Sequence, residues 1–143
     1  MKVLVIHGPN LDRLGTRELT VYGEQTLDEV NEAISGAAKE LGLEVEILQT
    51  AREGEIIERL HAAIDSVGGA VLNPAAYSHT SRAIADAIRA VPYPVIEVHL
   101  SNIHAREPWR RRSVTAEATA GIVAGFGADS YVAALRLLKG LIS

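Results

Sequence analysis

The stretch from residue 70 to residue 99, AVLNPAAYSHTSRAIADAIRAVPYPVIEVH, decides the fold class. Ala70–Asn73 is a short apolar run that predicts a buried strand, and Val95–His99 predicts another. Between them, Thr80–Val91 has the periodicity of an amphipathic helix, which two prolines end. A strand, a helix and a strand in this order predict a βαβ unit with parallel strands.

The same alternation continues on both sides of this unit. Thr26 and Glu29 have the spacing of a capping box, and Gly42 is a helix stop. Five buried strands separated by helices predict a parallel sheet with right-handed crossovers, in one α/β domain that covers residues 1–143. The remaining predicted elements are strands at Val3–Ile6, Val45–Gln49 and Ile122–Gly125, and helices from Thr26 to about Leu41, at Glu53–Ser66 and at Ser130–Leu141.

Composition excludes several classes of protein. The net charge of −4 argues against nucleic-acid binding, which needs a basic surface. The absence of cysteine excludes disulfides and cysteine-ligated zinc, and the five histidines show no paired spacing typical of a metal site. No stretch approaches the roughly 20 apolar residues that span a membrane, and the apolar start is too short for a signal peptide. A cytoplasmic protein without a bound metal is therefore expected.

Two connections are too long to be simple joints. Residues 10–25 and residues 100–119 show little regular periodicity, and loops of this length are usually functional or disordered. Each follows the carboxyl end of a predicted strand, where open α/β sheets bind their ligands. These two loops are the places where a site is expected.

The fourth strand ends in a polar triplet. Glu97, His99 and Ser101 point to the same face because side chains alternate along a strand. A carboxylate beside a histidine can orient the ring and raise its basicity for general acid–base catalysis. A polar strand end that simply faces water would explain the triplet equally well. Other polar residues at strand ends are His7, Asn10 and Asn73.

The first long loop carries Tyr22 and Arg17, and Arg106 lies in the second. A free tyrosine has a pKa near 10 and is a poor base at neutral pH, but nearby cations favour the tyrosinate. Both arginines are placed to supply that charge. For a lone loop tyrosine, packing of its apolar surface is the more common role, so the residues alone leave both interpretations open.

Three further features have a plain structural alternative. Residues 74–81 lead into a helix whose free amides favour an anionic or hydroxylated ligand, although serine and threonine there also serve as N-caps. Asp86 has the pattern of a solvated helix residue, and the run Arg110–Arg112 that of a solvated basic cluster. Phosphate-loop and dinucleotide-binding glycine patterns are absent after the first strand.

Taken together, the motifs resemble those of the type II 3-dehydroquinate dehydratases, over essentially the whole chain. The block from Ile96 to Glu107 is highly specific, whereas Gly-Pro-Asn alone would be weak. The matching segments are Gly8–Leu11, Leu14–Glu18, Val21–Gly23, Asn73-Pro74, Ser78–Ser81 and Ile96–Glu107.

The resemblance implies a flavodoxin-like three-layer sandwich with strand order 2-1-3-4-5, assembled as a homododecamer of four trimers. It also implies cofactor-free elimination of water from 3-dehydroquinate, through an enolate, to give 3-dehydroshikimate in the shikimate pathway of aromatic amino-acid biosynthesis. The first long loop would then be a lid that closes over the substrate and excludes water.

The resemblance also implies roles for individual residues. Tyr22 would be the base and His99, oriented by Glu97, the acid that protonates the departing hydroxyl. Substrate contacts would come from the segments that follow the third and fourth strands and from a second subunit. The implied catalytic residues are Tyr22, His99, Arg17, Asn10, Glu97 and Arg106, where Asn10 positions a water against the enolate oxygen. The implied binding residues are Leu100 and Ser101 for the carboxylate, Asn73, His79 and Arg110 for the ring hydroxyls, and Asp86 from a neighbouring subunit.

Departures from the family pattern avoid every implied catalytic residue. His7 stands where the family usually has asparagine, next to the Asn10 turn, and could alter the pH profile or the water network. Thr50–Gly54 replaces a commoner Ser-Asn-His-Glu-Gly, and Pro108-Trp109 also differs. Rate, lid behaviour and subunit contacts are where we expect differences.

Three other classes of function fit the pattern less well. A non-catalytic member of the same fold could bind a small acid as a sensor, but it would need no base and acid together. A nucleotide- or flavin-binding protein would need a glycine-rich loop that the chain lacks. A purely structural protein would leave the polar strand ends unexplained.

Overall fold

A computed structural model describes all residues, Met1–Ser143. Its centre is a five-stranded parallel sheet with the order β2-β1-β3-β4-β5, which confirms the predicted fold class and strand order. The strands are β1 (Lys2–His7), β2 (Glu44–Gln49), β3 (Gly69–Asn73), β4 (Val95–His99) and β5 (Gly121–Ala124). The helices are α1 (Leu19–Tyr22), α2 (Leu27–Glu40), α3 (Glu53–Ala62), α4 (Arg82–Ala90) and α5 (Ala128–Ile142).

Helices cover both faces of the sheet, which gives three layers. Odd-numbered β1 residues such as Val3 and Val5 pack against apolar residues of α2 and α5, including Ile34 and Leu135. Even-numbered β1 residues pack on the other face against α3 and α4. Because side chains alternate along a strand, residue parity decides which helix pair a strand-end side chain meets.

The start and end of α2 confirm the local sequence signals. Thr26 accepts a hydrogen bond from the Glu29 amide, and the Glu29 carboxylate accepts one from the Thr26 amide, so the capping box is complete. After α2, Gly42 adopts a left-handed conformation with φ of +70°, which suits glycine at a helix end.

The helix predicted at Glu53–Ser66 is shorter in the structure and ends at Ala62. Ile64 continues the apolar spacing of Ile57 and Leu60, but it lies beyond the helix and is 37% exposed. Beyond Ala62 the chain continues in tighter turns, in which the Ile64 amide donates to the His61 carbonyl and the Ser66 amide to the Ala63 carbonyl.

The helix predicted at Thr80–Val91 begins later, at Arg82. Ser81 is its N-cap, and the Ser81 hydroxyl accepts a hydrogen bond from the Ile84 amide. Before it, Ala75–His79 forms a short 3₁₀ helix. The long loops also hold short turns: α1 lies within residues 10–25, and residues 100–119 contain three 3₁₀ turns.

None of the helices combines the length and the apolar character that crossing a membrane would require.

Candidate active site

A cleft opens at the carboxyl ends of β1, β3 and β4, between the two long loops. Ten of the twelve site residues expected from the sequence line it. Glu97 lies behind His99 and contacts it, whereas Asp86 lies elsewhere on α4. The lining residues are Pro9, Asn10, Leu11, Arg17, Tyr22, Asn73, Ala75, Ala76, His79, His99, Leu100, Ser101, Ile103, Arg106 and Arg110.

The Tyr22 hydroxyl lies between two guanidinium groups. Arg106 Nη1 donates to it at 2.6 Å, and Arg17 Nη2 lies at 3.5 Å. Both guanidinium carbons also lie over the Tyr22 ring, at 4.6 Å for Arg17 and 5.0 Å for Arg106. The Tyr22 oxygen is thus surrounded by positive charge on two sides.

Glu18 holds the two arginines together. Its Oε2 accepts from Arg17 Nη2 at 3.3 Å and from Arg106 Nη2 at 3.2 Å. Glu18 itself adopts a left-handed backbone conformation with φ of +38°, which is unfavourable for a residue with a side chain. The loop therefore accepts local strain at the residue that fixes the arginines around Tyr22.

Glu97 is a fully buried carboxylate whose hydrogen-bond partners are all donors. His99 Nε2 lies 2.8 Å from its Oε2, the Ser113 hydroxyl donates at 2.6 Å, and the Thr115 hydroxyl donates to Oε1. Three partners offset the cost of burying the charge. Because a carboxylate only accepts, His99 carries a proton on Nε2, and Nδ1 is the nitrogen without a protein partner.

His79 has its ring near that of His99, with centroids 6.4 Å apart and nearly parallel. Its Nδ1 donates to the Arg112 carbonyl at 2.8 Å. Burial lowers the pKa of His79 from its usual range, opposed in part by the hydrogen bond to the Arg112 carbonyl, and the positive charge of Arg110 acts in the same direction as burial. A neutral His79 with its proton on Nδ1 presents Nε2 as a hydrogen-bond acceptor.

Arg110 is held at the mouth of the cleft by two neighbours in its own loop. Its Nε donates to Glu107, and its guanidinium stacks over the Trp109 ring at 4.1 Å. Trp109 also meets the His79 ring edge-on, with centroids 5.2 Å apart. Trp109, the only tryptophan of the chain, therefore contacts two predicted binding residues, Arg110 and His79.

The remaining expected residues fall on both sides of the cleft. Asn10 is exposed in a left-handed conformation with φ of +71°, which asparagine tolerates. Leu100 and Ser101 lie just after β4, where the Ser101 hydroxyl is 3.5 Å from Arg106 Nη1. The Asp86 side chain is 84% exposed and pairs with Arg89, so this chain alone does not bring it to the cleft.

Two neighbouring strand ends, His7 of β1 and Asn73 of β3, face α2 and α5 side by side. His7 contacts Asn31 Oδ1 at 2.7 Å and the Tyr131 hydroxyl at 2.8 Å, and Asn73 Nδ2 donates to the same hydroxyl. Gly8 makes this approach possible, because a Cβ there would lie 2.8 Å from the Pro74 backbone.

The buried His7 should make the protein sensitive to acid. Burial lowers its pKa from 6.5 to about 4, opposed in part by the hydrogen bond to Asn31. Above pH 6.5 neither the folded nor the unfolded chain carries this proton. As the pH falls from 6.5 towards 4, only the unfolded chain binds it, so the free energy of unfolding decreases. The expected loss is about 3 kcal/mol.

Urea denaturation between pH 7 and pH 4 checks this expectation. In His7→Asn the decrease in the free energy of unfolding between pH 7 and pH 4 should be smaller by about 3 kcal/mol, whatever the substitution does at pH 7. His61→Asn removes an exposed histidine of α3 and is the matched control. An unchanged slope in His7→Asn would show that His7 is not held neutral in the folded protein.

Several residues of the site were not singled out for these contacts by the sequence. Ser113 and Thr115 meet Glu97 from a loop, and Tyr131 and Asn31 come from helices far along the chain. Glu18 was part of a matching motif but had no assigned role. The only signal in the sequence for Ser113 and Thr115 is that these two hydroxyl side chains lie two positions apart in an irregular loop. The described residues contain no group of three or more histidine, aspartate or glutamate side chains that could hold a metal.

The chain is similar to known proteins along nearly its whole length. The family model described as dehydroquinase class II matches residues 1–139. A 3-dehydroquinate dehydratase of Geotalea daltonii is 52% identical over 138 residues, which is 96% of each chain. The crystal structure of type II dehydroquinase from Butyrivibrio crossotus has a TM-score of 0.94 at 41% identity, covering 96% of this chain and 97% of that one. The corresponding protein of Propionibacterium acnes has a TM-score of 0.93 at 44% identity, over 97% and 96% of the two chains. The chain therefore belongs to the dehydroquinase class II family.

Proposed function

We propose that the protein is a 3-dehydroquinate dehydratase that removes water from 3-dehydroquinate to give 3-dehydroshikimate. The observation that carries the proposal is the Tyr22 hydroxyl, which accepts from Arg106 at 2.6 Å in the same cleft as the His99–Glu97 pair. The cleft thereby offers a base and an acid to one small molecule. Relatives named as 3-dehydroquinate dehydratases support the same activity.

Tyr22 acts as the base in this proposal. The proton on a carbon beside a ketone is weakly acidic, so its removal needs a strong base in a site that excludes water. Tyrosinate is such a base, and Arg17 and Arg106 on either side of its oxygen favour that form. The electron pair of the C–H bond forms the C=C bond of the enolate, and the carbonyl π electrons move to the enolate oxygen. The proton moves to the Tyr22 oxygen.

Asn10 stabilises the enolate through a water that it holds against the enolate oxygen. Its side chain lies at the edge of the cleft, in the loop that follows β1, on the side where Tyr22 also enters. A fixed donor at the developing negative charge lowers the barrier more than bulk water does, because it needs no reorientation during the reaction.

His99 acts as the acid that completes the elimination. The Glu97 carboxylate holds Nε2, so protonation of Nδ1 gives an imidazolium that the buried carboxylate stabilises. As the enolate collapses to the conjugated enone, the C–O bond breaks, and the hydroxyl takes the Nδ1 proton and leaves as water. Protons move between the substrate and the protein, and electron pairs move within the substrate without oxidant or reductant, so the chemistry requires no redox cofactor.

The substrate is oriented by donors and acceptors along the cleft. The Leu100–Ser101 segment binds the carboxylate, with the Ser101 hydroxyl next to Arg106. His79 Nε2 accepts from a ring hydroxyl, Asn73 donates an amide hydrogen, and Arg110 adds a charged donor at the mouth. We place the reaction in the shikimate pathway of aromatic amino-acid biosynthesis, in the cytoplasm.

The absorbance of purified protein mixed with 3-dehydroquinate, with EDTA present, tests this function. A rise from the conjugated enone product would support metal-independent dehydration. A flat trace from folded protein would contradict it. In that case a non-catalytic protein that binds a small acid in the same cleft would be the better description.

We also propose that the protein assembles as a dodecamer of four trimers in which Asp86 completes a neighbouring active site. Asp86 is exposed, and the groove around it is rich in charged side chains from α4 and the second long loop. An aspartate placed in this way is available to a partner subunit but not to the cleft of its own chain.

Mixing two inactive variants tests whether sites are shared. Asp86→Ala subunits supply an intact Tyr22, and Tyr22→Phe subunits supply an intact Asp86. With random assembly, half of the subunits keep Tyr22 and half of their neighbours keep Asp86, so up to about one quarter of sites should regain activity. Refolding the variants together and separately gives the comparison. No recovery in the mixed oligomer would contradict a shared site.

A further inference from the structure

A buried chain of hydrogen bonds runs from the cleft into the interior. Asn73 Nδ2 lies 3.0 Å from the Tyr131 hydroxyl, which lies 2.8 Å from His7 Nδ1, and His7 Nε2 lies 2.7 Å from Asn31 Oδ1. Asn73, Tyr131 and His7 are at most 2% exposed. These hydrogen bonds thus link the end of β3 to α5, then to β1 and then to α2.

The chemistry of the four groups permits one complete arrangement of hydrogens. The Asn73 amide nitrogen only donates, so the Tyr131 oxygen accepts from it and donates its own hydrogen to His7 Nδ1. The His7 proton then lies on Nε2 and is donated to Asn31 Oδ1. This order requires a neutral His7 and a neutral Tyr131. Burial lowers the pKa of His7 to about 4 and raises that of Tyr131 above its usual range.

The other end of the Asn73 amide is fixed as well. Its Oδ1 accepts from the Ala75 amide at 3.0 Å. Ala75 adopts a left-handed conformation with φ of +52°, which is costly for alanine and persists only where the surroundings impose it. With oxygen and nitrogen both engaged, one N–H of Asn73 remains available, and Asn73 lines the cleft.

We propose that Tyr131 and His7 are positioning residues that fix the Asn73 amide so that it presents an N–H, and not its oxygen, to a hydroxyl of the substrate. The inference rests on the proposed function, in which Asn73 binds a ring hydroxyl. An amide without these contacts could exchange its oxygen and nitrogen by rotation and offer the wrong group. His79 Nε2 is an acceptor in the same cleft, so the two side chains together offer a donor and an acceptor to the hydroxyl groups of a substrate.

Tyr131→Phe removes only the hydroxyl that Asn73 and His7 share. We expect the KM for 3-dehydroquinate to rise about tenfold, as the loss of one oriented hydrogen bond would give, with a smaller change in kcat. Tyr93→Phe is the matched control. It removes another buried tyrosine hydroxyl, which donates to the Leu60 carbonyl on the opposite face of the sheet, and it should leave both constants unchanged.

A double-mutant cycle separates positioning from general destabilisation. If Tyr131 acts through Asn73, Tyr131→Phe should have no further effect on kcat/KM in an Asn73→Ala background. An equal loss in both backgrounds, or a wild-type KM in Tyr131→Phe, would overturn the proposal.

Side-chain ¹⁵N NMR of the ligand-free wild-type protein gives a readout that needs neither activity nor a folded variant. His7 should carry its proton on Nε2 near neutral pH, and the Asn73 amide should show one set of slowly exchanging protons. A His7 proton on Nδ1 would overturn the arrangement. Absence of turnover by the wild-type enzyme would instead contradict the proposed function. The NMR measurement would still test the hydrogen-bond arrangement.

Discussion

Tyr22→Phe should lower kcat for 3-dehydroquinate by roughly 10²–10⁴-fold, the contribution typical of a general base. Phenylalanine keeps the ring over which Arg17 and Arg106 lie, so the loop retains its packing. Only the oxygen that accepts from Arg106 is lost. Tyr22 is partly exposed and its hydroxyl contacts only the guanidinium groups of Arg106 and Arg17, so the free energy of unfolding should change by less than about 1 kcal/mol.

The other tyrosines provide the control for this experiment. Tyr77 donates its hydroxyl to the Ala51 carbonyl, and its side chain does not line the cleft. Tyr77→Phe should keep wild-type kcat, measured by the same enone absorbance. Substantial residual activity in Tyr22→Phe would remove Tyr22 as the base, and so would an equal loss in Tyr77→Phe.

The sheet could be predicted from the sequence because its signals are local. Strands such as β1 and β3 are short, mostly apolar runs, and α2 has its capping box and its glycine stop at its own two ends. The errors arose where a local competitor replaced the helix. After Ala62 tighter backbone turns end α3, and at Ser81 an N-cap sets a later start for α4. Periodicity extends through such positions and does not reveal them.

The candidate site divides in the same way. That Glu97 and His99 share a face follows from strand alternation alone, and the contact between them agrees. The contact between Tyr22 and Arg106 joins residues 84 positions apart, and the one between His7 and Tyr131 joins residues 124 apart. Composition and spacing carry no information on such pairs. Charge chemistry suggested Arg17 and Arg106 as partners of Tyr22 and the family resemblance assigned them roles, but neither assigned a partner to His7.

His99→Gln should also lower kcat by roughly 10²–10⁴-fold, because the departing hydroxyl loses its proton donor. Glutamine can still donate an amide hydrogen to the buried Glu97 carboxylate, whose other partners Ser113 and Thr115 remain. The carboxylate is therefore not left unpaired, and the fold should persist. His104→Gln is the control, since His104 is an exposed histidine in the loop that follows β4.

Hydrogen exchange distinguishes the acid from the base. Without His99 the enolate still forms and returns, so the proton beside the ketone should exchange with deuterium from D₂O faster than water is eliminated. Without the Tyr22 hydroxyl neither exchange nor elimination should occur, because both begin with removal of that proton. Proton NMR of the substrate with each variant measures the two rates together. Exchange with Tyr22→Phe but not with His99→Gln would reverse the two roles, and near wild-type elimination by His99→Gln would remove His99 as the acid.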